Sequence, residues 1–131
     1  MSVAVTPFLM FEGQAEEAMQ LYTSLFSDGR ILELVRRPAA GSEAEGMVLR
    51  ALFTIGGQRI YCSDSNVQHA FTFTPSTSLF VDFDTEPELV RVFGALSEGG
   101  TVLMELADYG FSAKFGWLND RFGVSWQLNF P

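Results

Sequence analysis

The chain has one cysteine and one histidine in 131 residues. A lone Cys62 excludes an intramolecular disulfide and any CxxC metal or redox motif. A lone His69 excludes a cluster of imidazole ligands within one chain. Basic residues are scarce as well, with eight Lys+Arg against sixteen Asp+Glu and a formal net charge of -8. Arg36-Arg37 is the only adjacent basic pair, so the clustered positive surface that nucleic acid requires is missing and no such partner is expected. No apolar run approaches the roughly 18 residues of a membrane span. The opening MSVAVTPFLMFEG has no basic flank before its apolar stretch and does not read as a signal peptide. A soluble, cytoplasmic protein without membrane partners is the expectation.

What is abundant is core-forming material. Hydrophobic residues make up 47% of the chain, thirteen of them Phe, enough to fill the interior of a single domain over residues 1–131. A shift of 71 positions lays FLMFEGQAEEAMQLYTSLFSDGRILELV (8–35) over LFVDFDTEPELVRVFGALSEGGTVLMEL (79–106). Glu17 meets Glu88, Tyr22 meets Phe93, Leu25 meets Leu96 and Gly29 meets Gly100. The pattern predicts two modules, 1–66 and 76–131, joined by a connector at 67–75.

Each module opens with a short apolar strand, near 5–11 and 77–83. A helix follows. Ala15, Ala18, Met19, Tyr22, Leu25 and Phe26 form one helical face in the first copy, and Leu89, Val92, Phe93 and Leu96 in the second. Thr85-Glu86-Pro87-Glu88 has the form of a capping box. Gly29 and Gly99-Gly100 are expected to supply the left-handed backbone on which helices end. Three strands come next in each copy: 30–36, 47–55 and 58–64, then 101–107, 113–118 and 124–130. Gly56-Gly57 is a two-residue hairpin turn, and 38–46 is a polar loop. The order is β-α-β-β-β, twice.

The last strand is the most informative. In FGVSWQLNFP, Val124, Trp126, Leu128 and Phe130 alternate with Ser125, Gln127 and Asn129. One face is apolar and the other polar but uncharged. An uncharged polar face either meets bulk water or lines a ligand site.

TPFLMFEGQAEEAMQLYTSLF, HAFTFTPSTSLFVDFDT and FGWLNDRFGVSWQL together resemble the PhnB-like branch of the vicinal oxygen chelate superfamily, which also holds glyoxalase I and bleomycin-resistance proteins. The resemblance implies an α+β fold of two βαβββ modules, the glyoxalase/bleomycin-resistance/dioxygenase fold. Its curved mixed sheets would enclose a cleft, and the protein would be a homodimer. On that fold the helices cover the apolar faces. The pocket is then expected from Leu9 and Phe11 on the first strand, Tyr61 and Ser63 on the fourth, Ser78, Phe80 and Asp82 on the fifth, and Ser125 and Gln127 on the eighth.

Metal-dependent members of the superfamily hold an ion with His, Gln or Glu from the first, fourth, fifth and eighth strands. Those places project here onto Pro7, Tyr61, Ser78 and Gln127. This donor set is wrong for a divalent ion, so neither metal nor other cofactor is expected. The function implied is metal-independent binding of a small molecule, with substrate and reaction open. Alternatives are sequestration of a drug or toxin, as in bleomycin resistance, and a metal-dependent lyase or dioxygenase. The family also carries the label 3-demethylubiquinone-9 3-methyltransferase. No glycine-rich turn of the Rossmann type occurs, so S-adenosylmethionine chemistry is not expected.

Other residues have competing readings. His69 is either a base at the pocket mouth or a connector residue bonded to backbone. Asp82 is either a base or substrate anchor, or a strand-end carboxylate paired with Arg59 or Arg121 or exposed at the rim. Tyr61 and Gln127 either orient a ligand or bond one another. Asp120-Arg121-Phe122-Gly123 reads as a turn, and Cys62 as apolar filling. Phe73, Phe111, Phe115 and Trp117 edge a pocket or belong to core or interface.

Overall fold

The computed structural model describes residues 2–38 and 46–131. It divides into two compact units, Met1–His69 and Ala70–Pro131. The first runs β1 (Phe8–Phe11), α1 (Ala15–Leu25), β2 (Arg30–Arg36), β3 (Val48–Ile55) and β4 (Gln58–Asp64). The second runs β5 (Leu79–Asp82), α2 (Glu86–Ser97), β6 (Thr101–Ala107), β7 (Lys114–Asn119) and β8 (Ser125–Phe130). Their sheets have the orders β1-β4-β3-β2 and β5-β8-β7-β6. In each, the opening strand pairs parallel to the last and the other pairs are antiparallel. This is the α+β, twice-βαβββ arrangement that the sequence implies. Residues 39–45 of the polar loop fall outside the described residues.

Each helix buries the stripe its periodicity marks. Ala15, Ala18, Met19, Tyr22 and Leu25 are buried on the sheet face that carries Ala51, Phe53, Ile60 and Cys62. The Tyr22 and Phe53 ring centroids are 6.1 Å apart. Leu89, Val92, Phe93 and Leu96 cover the second sheet, where Leu118, Trp126 and Leu128 are fully buried. Burial of each such side chain contributes roughly 1.5–3 kcal/mol. Gly116 makes the approach possible. A Cβ there would lie 2.4 Å from Phe93 Cε2.

The helices are capped differently. Thr85 Oγ1 accepts from Glu88 N at 3.4 Å, with Pro87 in the first turn. Gln14, at the cap of α1, makes no side-chain bond. Asp64, at the far end of β4, serves α1 instead. Its buried carboxylate accepts from the backbone N–H of Gly13, Ala15 and Val48, at 2.9, 2.9 and 3.0 Å.

Two expectations need correction. Gly99 has a φ of 75°, but Gly29 is not left-handed. Gly29 and Gly100 are close-approach glycines: an added Cβ would stand 2.2 Å from Thr23 O in one unit and 2.2 Å from Asn119 O in the other. The second correction concerns parity on β1. Phe8 lies opposite Tyr61, Leu9 opposite Cys62, Met10 opposite Ser63 and Phe11 opposite Asp64. Partners in a parallel pair point to the same side. Leu9 and Phe11 therefore face α1 with Cys62 and Asp64, while Phe8 and Met10 share the other face with Tyr61 and Ser63. The 71-residue shift holds for the helices. On the opening strands Phe8 beside Tyr61 corresponds to Phe80 beside Gln127, a shift of 80 − 8 = 72. A slip of one residue exchanges the faces of a whole strand.

Candidate ligand-binding face of the second sheet

The side of the second sheet turned away from α2 can be read from register as three transverse rows. Asn119 pairs with Ser125, whose hydroxyl lies 2.8 Å from that of Ser78. Trp117 pairs with Gln127, and Gln127 with Phe80. Phe115 pairs with Asn129, and Asn129 with Asp82. Six of these nine side chains are polar uncharged or acidic, and the other three are aromatic. Ser78, Phe80, Asp82, Ser125 and Gln127 thus come together as the alternation of β5 and β8 requires.

Most of the polar groups hold one another. Ser125 Oγ also accepts from Trp117 Nε1 at 2.8 Å, which fixes the indole across the strands. Asn129 Nδ2 donates to Asp82 Oδ1 at 2.9 Å, and Ser112 Oγ donates to Asn129 Oδ1 at 2.6 Å. Asp82 is exposed, as the rim reading had it, and bonded to Asn129. Two groups are left over. Asn119 Oδ1 is buried without a hydrogen-bond partner among the described residues. The half-buried Gln127 amide makes no side-chain hydrogen bond among the described residues, although it stands between an indole and a phenyl ring. A buried acceptor and a donor–acceptor amide without partners are places where a ligand or water completes the bonding.

Aromatic rings continue the face. The Phe115 centroid lies 6.3 Å from Phe80, 5.0 Å from Phe111 and 6.2 Å from Tyr109. Phe115 is buried at the centre of the cluster, while Phe80, Tyr109 and Phe111 are 55%, 42% and 65% exposed, so its outer rings are open to solvent. Tyr109 and Asn119 were missed in the sequence. The alternation Phe115, Trp117, Asn119 along KFGWLN was the signal that could have found Asn119. Phe73 belongs elsewhere, beside the Gly123 turn.

In the first unit, Tyr61 and Ser63 stand on the face away from α1, with Phe8 and Met10. Leu9 and Phe11 do not; the one-residue register difference removes them from the expected lining. His69 lies in neither sheet. A nitrogen of its ring is 2.9 Å from Ser65 Oγ, and its backbone N–H donates to Glu12 at 3.3 Å. Cys62 is fully buried, and burial, with the Asp64 charge adding to it, pushes its thiol up to about 12. It is packing material. Asp120 is likewise structural: its carboxylate accepts from Phe122 N, Val124 N and Trp126 Nε1 at 2.8, 3.1 and 2.9 Å.

The fold implies a possible metal site, and its donor chemistry can be tested within each unit. Tyr61 has Phe8 beside it, and Gln127 has Phe80. Neither phenylalanine offers a donor. Pro7 has none either, and Ser78 spends its hydroxyl on Ser125. These residues do not fit a divalent cation, which prefers carboxylate, imidazole or thiolate.

The model of the family described as 3-demethylubiquinone-9 3-methyltransferase matches residues 3–129. The PhnB protein of Bacillus cereus is 52% identical over 98% of this chain and 100% of its own, with a TM-score of 0.94. A Pseudomonas aeruginosa protein is 27% identical over 98% of both chains, at a TM-score of 0.84. The fosfomycin resistance protein FosX of Listeria monocytogenes, at 10% identity, covers 100% of this chain and 94% of its own with a TM-score of 0.64, and shares the fold. No curated protein matches the chain. Two βαβββ units, a family match over almost the whole length and a half-identical relative lead to one conclusion: the chain belongs to the 3-demethylubiquinone-9 3-methyltransferase family, the PhnB-like branch of the vicinal oxygen chelate superfamily.

Proposed function

We propose that the protein binds a small organic molecule on the face of the second sheet that α2 leaves uncovered, without a bound metal ion. The observation that carries this reading is the middle row, where the Gln127 amide, without a side-chain partner among the described residues, lies between Trp117 and Phe80. Apolar walls with a few polar groups are the make-up of ligand sites. Gln127 orients the ligand through one accepted and one donated hydrogen bond, Ser78 and Ser125 border it, and Asp82 limits it on one side. Tyr61 and Ser63 are the corresponding groups of the first unit.

The test is a fragment screen by NMR, with the Trp117 indole N–H and the Gln127 amide as reporters. Fragments that move both signals, and lose affinity about tenfold or more in Gln127→Leu, support the site; each of the two lost charge-free hydrogen bonds is worth roughly 0.5–1.5 kcal/mol. Fragments that bind without touching either signal refute it. Recovery of a bound compound unchanged assigns sequestration, and a product assigns catalysis. Metal-independence is checked by elemental analysis of protein purified without chelators, where stoichiometric Ni, Zn or Fe contradicts it. The methyltransferase label is tested by calorimetry with S-adenosylmethionine, for which no binding is expected. A homodimer in the cytoplasm completes the reading; among the described residues no helix is long and apolar enough to cross a membrane.

A further inference from the structure

The charge pattern around the aromatic cluster narrows the ligand class. The second unit has three basic side chains, Arg91, Lys114 and Arg121. Arg91 is on α2 and pairs with Glu88 at 3.4 Å. Lys114 reaches Glu86, also on α2, at 3.7 Å. Arg121 lies in the turn after β7, its Cβ against Gly99 at the end of α2 and its guanidinium 4.7 Å from the Phe122 ring centroid. All three cations are thus committed to the helix or the turn. The uncovered face keeps one charged side chain in its rows, the exposed Asp82.

Asp82 also adjoins the rings. It is two residues from Phe80 on the same side of β5, a separation of about 7 Å along a strand. Asn129, which donates to Asp82 Oδ1, stands opposite Phe115. Among the described residues only one Asp82 oxygen is used, which leaves Oδ2 open to a positive group. Ring faces attract cations through their quadrupole, and a nearby carboxylate adds to the attraction. The same arrangement repels a carboxylate or phosphonate, for which this face offers no cation.

We infer that this face takes an organic cation, an ammonium-like head carried on a flat apolar body, with the head between Asp82 and the rings of Phe80 and Phe111. The inference rests on the binding face proposed above and adds the sign of the ligand's charge.

Three probes of one size test it: benzyltrimethylammonium, neutral benzamide and anionic benzylphosphonate, titrated by NMR into the full chain. Benzyltrimethylammonium is expected to bind about tenfold tighter than benzylphosphonate at low salt, as for one favourable against one unfavourable surface charge contact. Asp82→Asn should erase most of that preference. Phe111→Ala should weaken the cation; both positions are exposed, so neither change threatens folding. Benzamide binding at Gln127 with no preference for the cation overturns the charge inference and leaves the binding face standing. Benzylphosphonate binding as tightly as the cation does the same. Failure of all three probes to move the Trp117 or Gln127 signals overturns both.

Discussion

Asp120 shows how much a single buried carboxylate can organise. Two backbone N–H groups and the Trp126 indole N–H converge on it, and it is only 3% exposed. Asp120→Ala removes the acceptor from three buried donors at once. A loss of roughly 3 kcal/mol is expected, since each unsatisfied buried donor costs about 1–3 kcal/mol and partial relaxation offsets some of it. Urea unfolding should show a lower midpoint with an unchanged slope. Cys62 behaves oppositely, as a group kept from ionising. Its folded pKa is raised from 9.0 to about 12 by burial, so the folded protein retains a proton that the unfolded chain releases. The stability this contributes is complete below pH 9 and is lost as pH climbs toward 12. Native protein at pH 8 should resist thiol reagents until it is unfolded; rapid stoichiometric labelling without loss of structure would contradict the packing role.

At the scale of elements, the carboxylate that ends the first helix region ties it to a hairpin. Asp28 accepts from Gly56 N and Gly57 N, each at 2.8 Å. The bond from Gly56, then that from Gly57, holds its carboxyl below the usual 3.8. A depressed carboxyl stabilises the fold above its ordinary pKa, and the contribution disappears as pH falls through the folded value. Protection of the Gly56 and Gly57 amides, taken relative to their intrinsic exchange rates, should fall below pH 4 in the natural chain, and Asp28→Asn should flatten that dependence. The helix–sheet contact of the second unit offers a steric test. Gly116→Ala places a methyl 2.4 Å from Phe93 Cε2 and 2.8 Å from Leu106 Cδ2. Overpacking of this kind costs roughly 1–3 kcal/mol, read from the unfolding midpoint. An unaffected midpoint would mean that Phe93 does not rest on the β7 backbone.

Much of this level was legible in the letters. Alternation in VSWQLNF assigns Trp126 to the helix side and Gln127 to the other, and the 3.6-residue stripes mark both helices. The first strand was not legible. PFLMF is apolar at every position, so no alternation sets its parity, and the repeat shift taken from the helices is one residue short there. Leu9 and Phe11 were assigned to the wrong face for that reason. Asp64 was equally hidden, because the helix it caps lies 49 residues away in sequence from its acceptor oxygen.

For the whole molecule, charge is the property that reaches beyond any one contact. The chain carries a net charge of -8, and the rows of the proposed binding face hold no cation. Association with benzyltrimethylammonium should therefore slow as ionic strength rises, the Debye length falling from about 30 Å at 0.01 M to about 10 Å at 0.1 M. Benzamide association should be insensitive to salt.

Composition, periodicity and the internal repeat were sufficient to determine two βαβββ units, their helices and the polar side of the last strand, because those features depend on neighbours a few residues apart. Which side chains share a face across strands was decided only by the folded register. Phe8 joins Tyr61, Phe80 joins Gln127, and Phe115 shares a row with Asn129 and Asp82 through pairings between distant segments. Strand pairing fixes such neighbours to within one residue, and at a two-residue period one residue is the difference between a binding wall and the core.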